Sequence, residues 1–238
     1  MSDALRGKTA VVTGASRGIG RAVARALAGT GAWVAMVARD GEALAAAAAE
    51  IGGHAVPADV SSPAAVHTLA AYVVELLGDA PDLVVNAAGS FAMAPLAETD
   101  PAVFDSQIAA NLRAPFLMIR AFLPPMLRRG SGQLVHVGSV AGRTAFARNG
   151  AYSASKFGLR GMHEVLLEEL RGTGVRSTLV EPGATDTTLW DALGPDADPA
   201  LPSRASMLRA EDVAGAVLWA AAQPPHVAIP TLPIHPAL

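Results

Sequence analysis

The 238-residue chain contains no cysteine. That absence removes disulfides, thiolate catalysis, thiolate-bound zinc and iron–sulfur ligation together. Lysine and tyrosine are almost missing as well: Lys8 and Lys156 are the only lysines, and Tyr72 and Tyr152 the only tyrosines. Amine or phenol chemistry therefore has very few places to occur. Charged residues make up 16% of the chain and the net charge is −3. No basic surface for nucleic acid or anionic lipid is offered. The longest apolar run, Val213 to Ala222, falls far short of the ~20 residues a membrane span requires. The first residues carry Asp3, Arg6 and Lys8 with only a short apolar stretch after them, unlike a secretory signal. The histidines are scattered, and His163-Glu164 has no second histidine at position 167 to complete a zinc-binding HExxH. No metal, no nucleic acid and no membrane partner is expected, and the expected location is the cytoplasm.

Hydrophobic residues are abundant, at 51%, which argues against disorder. Short β-branched runs alternate with longer alanine- and leucine-rich stretches throughout. Strands are expected at Thr9–Thr13, Trp33–Val37, around His54 to Pro57, and at Leu83–Val85, Leu134–Val137, Ser177–Val180 and Val227–Ile229. Helices are expected near 19–29, 41–50, 63–77, 101–127, 152–171 and 211–222. Continuous apolar strands separated by helices predict an α/β fold of Rossmann type. Its doubly wound, mostly parallel seven-stranded sheet should carry helices on both faces, all in one domain over residues 1–238. Residues 187–208 lack sustained periodicity and are expected to form a lid over a site. Pro230 directly after Ile229 places the last strand at the sheet margin.

Thr13-Gly14-Ala15-Ser16-Arg17-Gly18-Ile19-Gly20 falls where the first strand ends and the first helix begins. Glycines there permit a tight turn and close approach of backbone to a pyrophosphate, and the helix N-terminus presents unpaired N–H groups to the phosphates. Elsewhere, Tyr152 and Lys156 are four residues apart and so share one helical face. Burial raises a phenol pKa, and a neighbouring ammonium pulls it back toward neutrality, where the phenol can act as an acid–base group. Ser139, at the end of a strand, could hold a substrate oxygen near that phenol, or could simply satisfy backbone groups there. No G-x-S-x-G elbow surrounds it, which excludes a serine hydrolase of that kind.

The T-G-x-x-x-G-x-G spacing together with Tyr152-x-x-x-Lys156 resembles the short-chain dehydrogenase/reductase family, and further motifs follow in the family's order along nearly the whole chain. Asp59-Val60 is similar to its adenine-contacting pair, Asn86-Ala87-Ala88-Gly89 to its N-A-G motif, and Glu181-Pro182-Gly183 to the P-G motif beside the nicotinamide. The resemblance implies a catalytic set of Asn111, Ser139, Tyr152 and Lys156. In it Tyr152 exchanges a proton with the substrate carbonyl or alcohol, Lys156 lowers the phenol pKa and binds the nicotinamide ribose, and Asn111 holds a water linking Lys156 to solvent. The implied cofactor contacts are Gly14, Ser16, Arg17, Gly18, Ile19, Gly20, Arg39, Asp59, Val60, Asn86, Ala87, Gly89, Tyr152, Lys156, Pro182, Gly183, Thr185 and Thr187. A non-catalytic dinucleotide-binding sensor or scaffold on the same fold is the alternative. Such proteins tend to lose the tyrosine or lysine, and both are retained here.

Two readings of cofactor choice compete. Asp40 stands at about the distance from the glycine turn at which an acid binds the NAD ribose. The resemblance, however, puts the NAD-selecting acid directly after the second strand, where this chain has Ala38. Arg39 and Arg17 suit an adenosine 2′-phosphate, and Asp40 suits a helix N-cap. NADP(H) is therefore expected over NAD(H). Pocket walls are expected from Ser90–Met93, Val140 to Phe146, and Thr188, Leu189 and Trp190. Ser139, Phe91, Phe146 and Trp190 are the expected substrate contacts, and Arg143 and Arg148 are expected at the solvated surface. The substrate is then a small to medium carbonyl or alcohol compound with apolar substituents. Relatives pair through their long helices, which implies a homodimer or homotetramer. Leu159, Met162, Val165, Leu166 and Leu170 are candidates for that surface.

Overall fold

A parallel seven-stranded sheet organises the molecule, its strands lying in the order His54–Pro57, Trp33–Ala38, Thr9–Thr13, Leu83–Asn86, Gly132–Val137, Val175–Pro182 and Thr231–Ile234. The structure is a computed structural model that describes residues 2–237. In chain order the elements are β1 (Thr9–Thr13), α1 (Gly18–Ala28), β2 (Trp33–Ala38), α2 (Gly41–Ala49), β3 (His54–Pro57), α3 (Pro63–Leu77) and β4 (Leu83–Asn86). They continue with α4 (Pro101–Ile108), α5 (Ala114–Arg129), β5 (Gly132–Val137), α6 (Gly150–Glu169), β6 (Val175–Pro182), β7 (Thr185–Asp186), β8 (Leu208–Arg209), α7 (Ala210–Ala221) and β9 (Thr231–Ile234).

Strand residues alternate between the two faces, as the period of two requires. Ala10 and Val12 of β1 join one core with Val23 and Leu27 of α1 and Val213 and Val217 of α7. Val11 points to the other core, with Leu69 and Val73 of α3 and Met118 and Phe122 of α5. Both faces are covered, so the central strands can be apolar without a break. β1 and β4 are neighbours although two strands and three helices separate them in sequence. The strand order reverses between them, and at their carboxyl ends the outgoing loops diverge and leave a crevice. The Thr13 hydroxyl fixes its floor, accepting from the Ala87 and Ala88 N–H groups at 3.1 Å each.

Four local expectations are adjusted. The last strand is Thr231–Ile234 rather than Val227–Ile229, although it does lie at the margin, paired with β6. Arg176 accounts for the shift: its guanidinium donates to the Gln223, Pro224 and Val227 carbonyls at 2.9–3.0 Å, which holds that stretch as a loop. The single helix expected over 101–127 is α4 and α5 joined by one wide π turn, Ala109–Arg113. The aperiodic segment 187–208 is bracketed by β7 and β8, which pair with each other and close it into a loop. Finally, Leu159, Leu166 and Leu170 are buried rather than available on the surface, while Val165 is exposed. Asp40 caps α2, accepting from the Ala43 N–H at 3.0 Å. No helix among the described residues is long and apolar enough to cross a membrane.

The core under α6 also contains two buried imidazoles, His136 and His163, with ring centroids 5.8 Å apart. His136 Nδ1 meets the Asn86 amide nitrogen at 3.1 Å, and His163 lies between the Ser177 hydroxyl (3.1 Å) and the Pro230 carbonyl (2.9 Å). Burial, reinforced by the neighbouring His163, pushes the pKa of His136 down to about 3. Burial lowers His163 too. In the unfolded chain each imidazole takes up a proton near pH 6.5. The unfolded state therefore binds more protons below that value, and stability falls as pH falls until His136 itself titrates. At about 1.4 kcal/mol per pH unit, His136 alone removes roughly 3 kcal/mol by about pH 4.5. Urea unfolding should show its midpoint dropping between pH 6.5 and 4.5, and His136→Leu should flatten that drop. An unchanged pH slope in the variant would contradict this assignment.

Candidate active site

The crevice holds two adjoining spaces, a cavity of about 430 Å³ and a cleft of about 240 Å³. Ile19, Ala87, Gly89, Ser90, Thr187 and Leu189 form walls of both. The glycine turn runs along the smaller cleft, where Gly14, Ser16, Arg17, Gly18 and Gly20 face Arg39, Asp59 and Val60. Two of these glycines are required by backbone contact. A Cβ on Gly14 would stand 2.8 Å from the Ala88 Cα, and one on Gly20 would stand 2.3 Å from the Gly14 carbonyl oxygen. The N-cap of α1 is Arg17, which makes no side-chain capping bond, and the first turn contains no acid. The first-turn N–H groups and the positive end of the helix dipole thus face the cleft uncompensated, which suits a pyrophosphate. Asp59 is occupied locally: the Ser61 hydroxyl (2.7 Å) and N–H (2.9 Å) donate to its carboxylate and lower its pKa, with a smaller contribution from Arg39.

Asn111, Ser139, Tyr152 and Lys156 come together on the larger cavity, with Pro182, Gly183, Thr185 and Thr187 opposite. Lys156 is buried, and its ammonium donates to the Val137 carbonyl at the end of β5, 2.9 Å away. Burial brings its pKa down to about 8. The same Nζ lies 5.7 Å from the centre of the Tyr152 ring. For the phenol the balance differs from the sequence expectation. Burial raises the Tyr152 pKa, the Ser139 hydroxyl opposes that rise, and no lowering by Lys156 is found in the protein alone. Besides standing beside the phenol, Ser139 satisfies the backbone at the strand end, its oxygen accepting from the Ala141 N–H at 3.1 Å.

The side-chain amides of two further residues are engaged within the protein. Asn86 lines neither space, because its amide is turned into the core toward His136. The side chain of Asn111, buried in the π turn, clamps the loop after β4: it accepts from the Ser90 N–H and donates to the Ser90 carbonyl, both at 2.9 Å. Its second amide proton goes to the Ser155 hydroxyl at 3.1 Å. No side-chain proton is left for a water, although Oδ1 keeps one free lone pair.

Aromatic rings close the other side of the cavity. Phe91 stacks edge-to-face on Tyr152 at 4.7 Å and on Trp190 at 5.1 Å. Phe146, Met93, Leu189 and Leu201 extend that apolar wall. Thr188 faces the smaller cleft instead. Between β7 and β8, Arg204 ion-pairs with Asp186 and Asp191 and donates its N–H to Asp196, tying the segment over the cavity. Arg148 is exposed, as expected, and its chain also borders the cavity mouth, where it pairs with Asp198 of that segment at 3.8 Å. Arg143 is exposed but reaches the buried Glu181 at 3.7 Å. Sequence reasoning overlooked Ser155 and Asn149. Asn149 also lines the cavity, and its place just ahead of α6 was the available signal.

A model of the short chain dehydrogenase family matches residues 8–198, and the chain belongs to that family of oxidoreductases. An uncharacterized oxidoreductase of Staphylococcus aureus is 33% identical over 235 residues, covering 98% of both chains. Part of a glycine betaine reductase of Emericella nidulans is 38% identical over 243 residues; this chain spans only 19% of that longer protein. Among solved structures, a metagenomic short-chain oxidoreductase in complex with NADP is 37% identical with a TM-score of 0.84, covering 99% of each chain. An alcohol dehydrogenase from Thermococcus sibiricus complexed with 5-hydroxy-NADP is 31% identical with a TM-score of 0.85, covering 95% of each chain.

Proposed function

We propose that the protein is an NADP(H)-dependent reductase or dehydrogenase interconverting a carbonyl and an alcohol on a small to medium, largely apolar molecule. The observation that carries this reading is the joining of a cleft shaped for a dinucleotide to a cavity containing Ser139, Tyr152 and Lys156. Two solved relatives hold NADP or a derivative of it. Glycines 14, 18 and 20 and the open N-terminus of α1 would hold the pyrophosphate. Arg17 and Arg39 would hold the 2′-phosphate, Lys156 the nicotinamide ribose, and Pro182, Gly183, Thr185 and Thr187 the nicotinamide end. When bound, the cofactor supplies the hydride for reduction or accepts it in oxidation.

The protein's own groups handle the proton. A phenol held above its ordinary pKa is protonated at neutral pH, so Tyr152 is ready to give its proton to the carbonyl oxygen. Ser139 donates a hydrogen bond to the same oxygen and fixes it beside the phenol. Lys156, mostly cationic at pH 7 with a pKa near 8, stabilises the phenolate left behind without touching it. The reverse order of proton movements serves oxidation. Residues 187–208 act as a lid clasped by Arg204, and exclusion of water beneath it strengthens these electrostatic effects. The exposed rings of Phe104, Phe116 and Phe157 on α4–α6 support pairing of two copies through these helices.

Tyr152→Phe should lower kcat for NADPH-dependent carbonyl reduction by about 10²- to 10⁴-fold, the range for loss of a general acid. A variant with near wild-type turnover would refute the assignment. Arg39→Ala should raise the KM for NADPH by about ten- to a hundred-fold, from the loss of a charge-assisted hydrogen bond, and leave the KM for NADH far less affected. Equal effects on the two cofactors would remove the argument for NADP(H).

A further inference from the structure

The amide oxygen of Asn149, a residue of the cavity lining, has no hydrogen-bond partner. The residue occupies the N-cap of α6, three positions before Tyr152, and is only 8% exposed. Asparagine at an N-cap ordinarily accepts from a first-turn N–H. Here no side-chain capping bond forms, and Oδ1 is buried without any hydrogen-bond partner. The backbone explains the orientation. Arg148 has φ +67, the left-handed region, and is the only non-glycine residue among those described with positive φ. Its carbonyl accepts from the Ala94 N–H at 2.9 Å, and residues 94 and 149 form a bridge. The loop before α6 is therefore docked against the loop after β4, and Asn149 is held on the cavity wall.

A buried amide oxygen without a partner is costly, and native structures rarely keep one unless a ligand or function uses it. Strain in a non-glycine left-handed residue next to a site has the same character. The Ser90 hydroxyl, in another residue of the cavity lining, is also buried without a partner, although both backbone groups of Ser90 are bound by Asn111. These two polar side chains lie on the same cavity as the aromatic and aliphatic wall of Phe91, Phe146, Met93, Leu189 and Leu201. Ser139 and Tyr152 already suffice for the reacting oxygen, so the Asn149 amide is surplus to an unfunctionalised ketone.

We propose that Asn149 is a specificity residue that hydrogen-bonds a second oxygen of the substrate. The substrate class is then an apolar, aromatic-sized molecule carrying a hydroxyl close to the reacting carbon, whose O–H donates to Oδ1: a hydroxyketone, reduced to a diol. This rests on the proposed carbonyl–alcohol function for its choice of site, but its test does not need turnover. The dissociation constants of 1-phenylethane-1,2-diol and 1-phenylethanol are measured by calorimetry on the NADPH-saturated protein. The diol should bind at least about ten-fold more tightly, in line with a hydrogen bond that satisfies a buried polar group. In Asn149→Leu the ratio of the two constants should fall to near one, and Asn149→Ser, whose hydroxyl supplies an oxygen acceptor in place of the amide, should restore part of it. Equal affinities in the wild type, no detectable binding of either alcohol, or a ratio that survives Asn149→Leu would each overturn the proposal. A purely structural role for Asn149 would lower the melting temperature of both variants without changing the ratio. Failure of the carbonyl–alcohol reading appears separately, as absence of NADPH oxidation with acetophenone and 2-hydroxyacetophenone while the diol preference stands.

Discussion

The ammonium of Lys156 has one acceptor among the described residues, the Val137 carbonyl, and is otherwise enclosed. An ammonium carries three donors. With two of them unmet by the protein, the charged form is poorly supported, which is why burial draws the pKa to about 8. The same hydrogen bond pins α6 to the carboxyl end of β5 and so sets the depth at which Tyr152, one turn earlier, enters the cavity. Close backbone contact enforces that placement. A Cβ on Gly142 would lie 2.9 Å from the Lys156 carbonyl oxygen, so the turn that begins at Ser139 can sit directly on α6. Serine, tyrosine and lysine come from two elements, but one contact surface holds all three in register.

Glu181 reinforces this surface from below. Its carboxylate is fully buried at the end of β6, with Arg160 of α6 at 3.4 Å and Arg143 of the Ser139 turn at 3.7 Å. A buried ion group of this kind adds little net stability, because desolvation offsets its Coulomb attraction. Its consequence is geometric: it gives the strand, the turn and the helix a common anchor. Breaking it would leave a buried charge uncompensated, so the three elements move together or hardly at all.

Much of the architecture was legible because the signals are periodic. Continuous apolar strands, intervening helices, the glycine spacing and a four-residue tyrosine–lysine interval all follow from backbone geometry that a sequence expresses directly. What was illegible depended on contacts distant in the chain. The start of β9 is decided by Arg176, about fifty residues earlier, capturing three carbonyls. β7 and β8 are two residues each and exist only because they meet across the segment they enclose. Asn86 sits inside a recognisable motif, yet its side chain is drawn into the core by His136, its direct partner in the sheet register. Asn111 could be placed on a helix, but the π turn that inserts its amide between Ser90 and Ser155 has no simple sequence signature.

The π turn also connects parts of the site that look independent. Asn111 binds both backbone groups of Ser90, as a neighbouring strand would, and thereby fixes the path of the chain into Phe91. Phe91 is in edge contact with Tyr152 on one side and Trp190 on the other. Such ring pairs contribute about 0.5–1.5 kcal/mol each beyond the area they bury. Trp190 belongs to the segment clasped by Arg204, so closure of that segment over the cavity and orientation of the Tyr152 phenol share one intermediate ring. Displacing Trp190 removes a packing partner from Phe91, and Phe91 cannot relax by moving its backbone because Asn111 holds it. The response must pass to the Tyr152 ring or open a void. A substrate that fills the aromatic wall prevents both, and in doing so it holds the acid–base group in place.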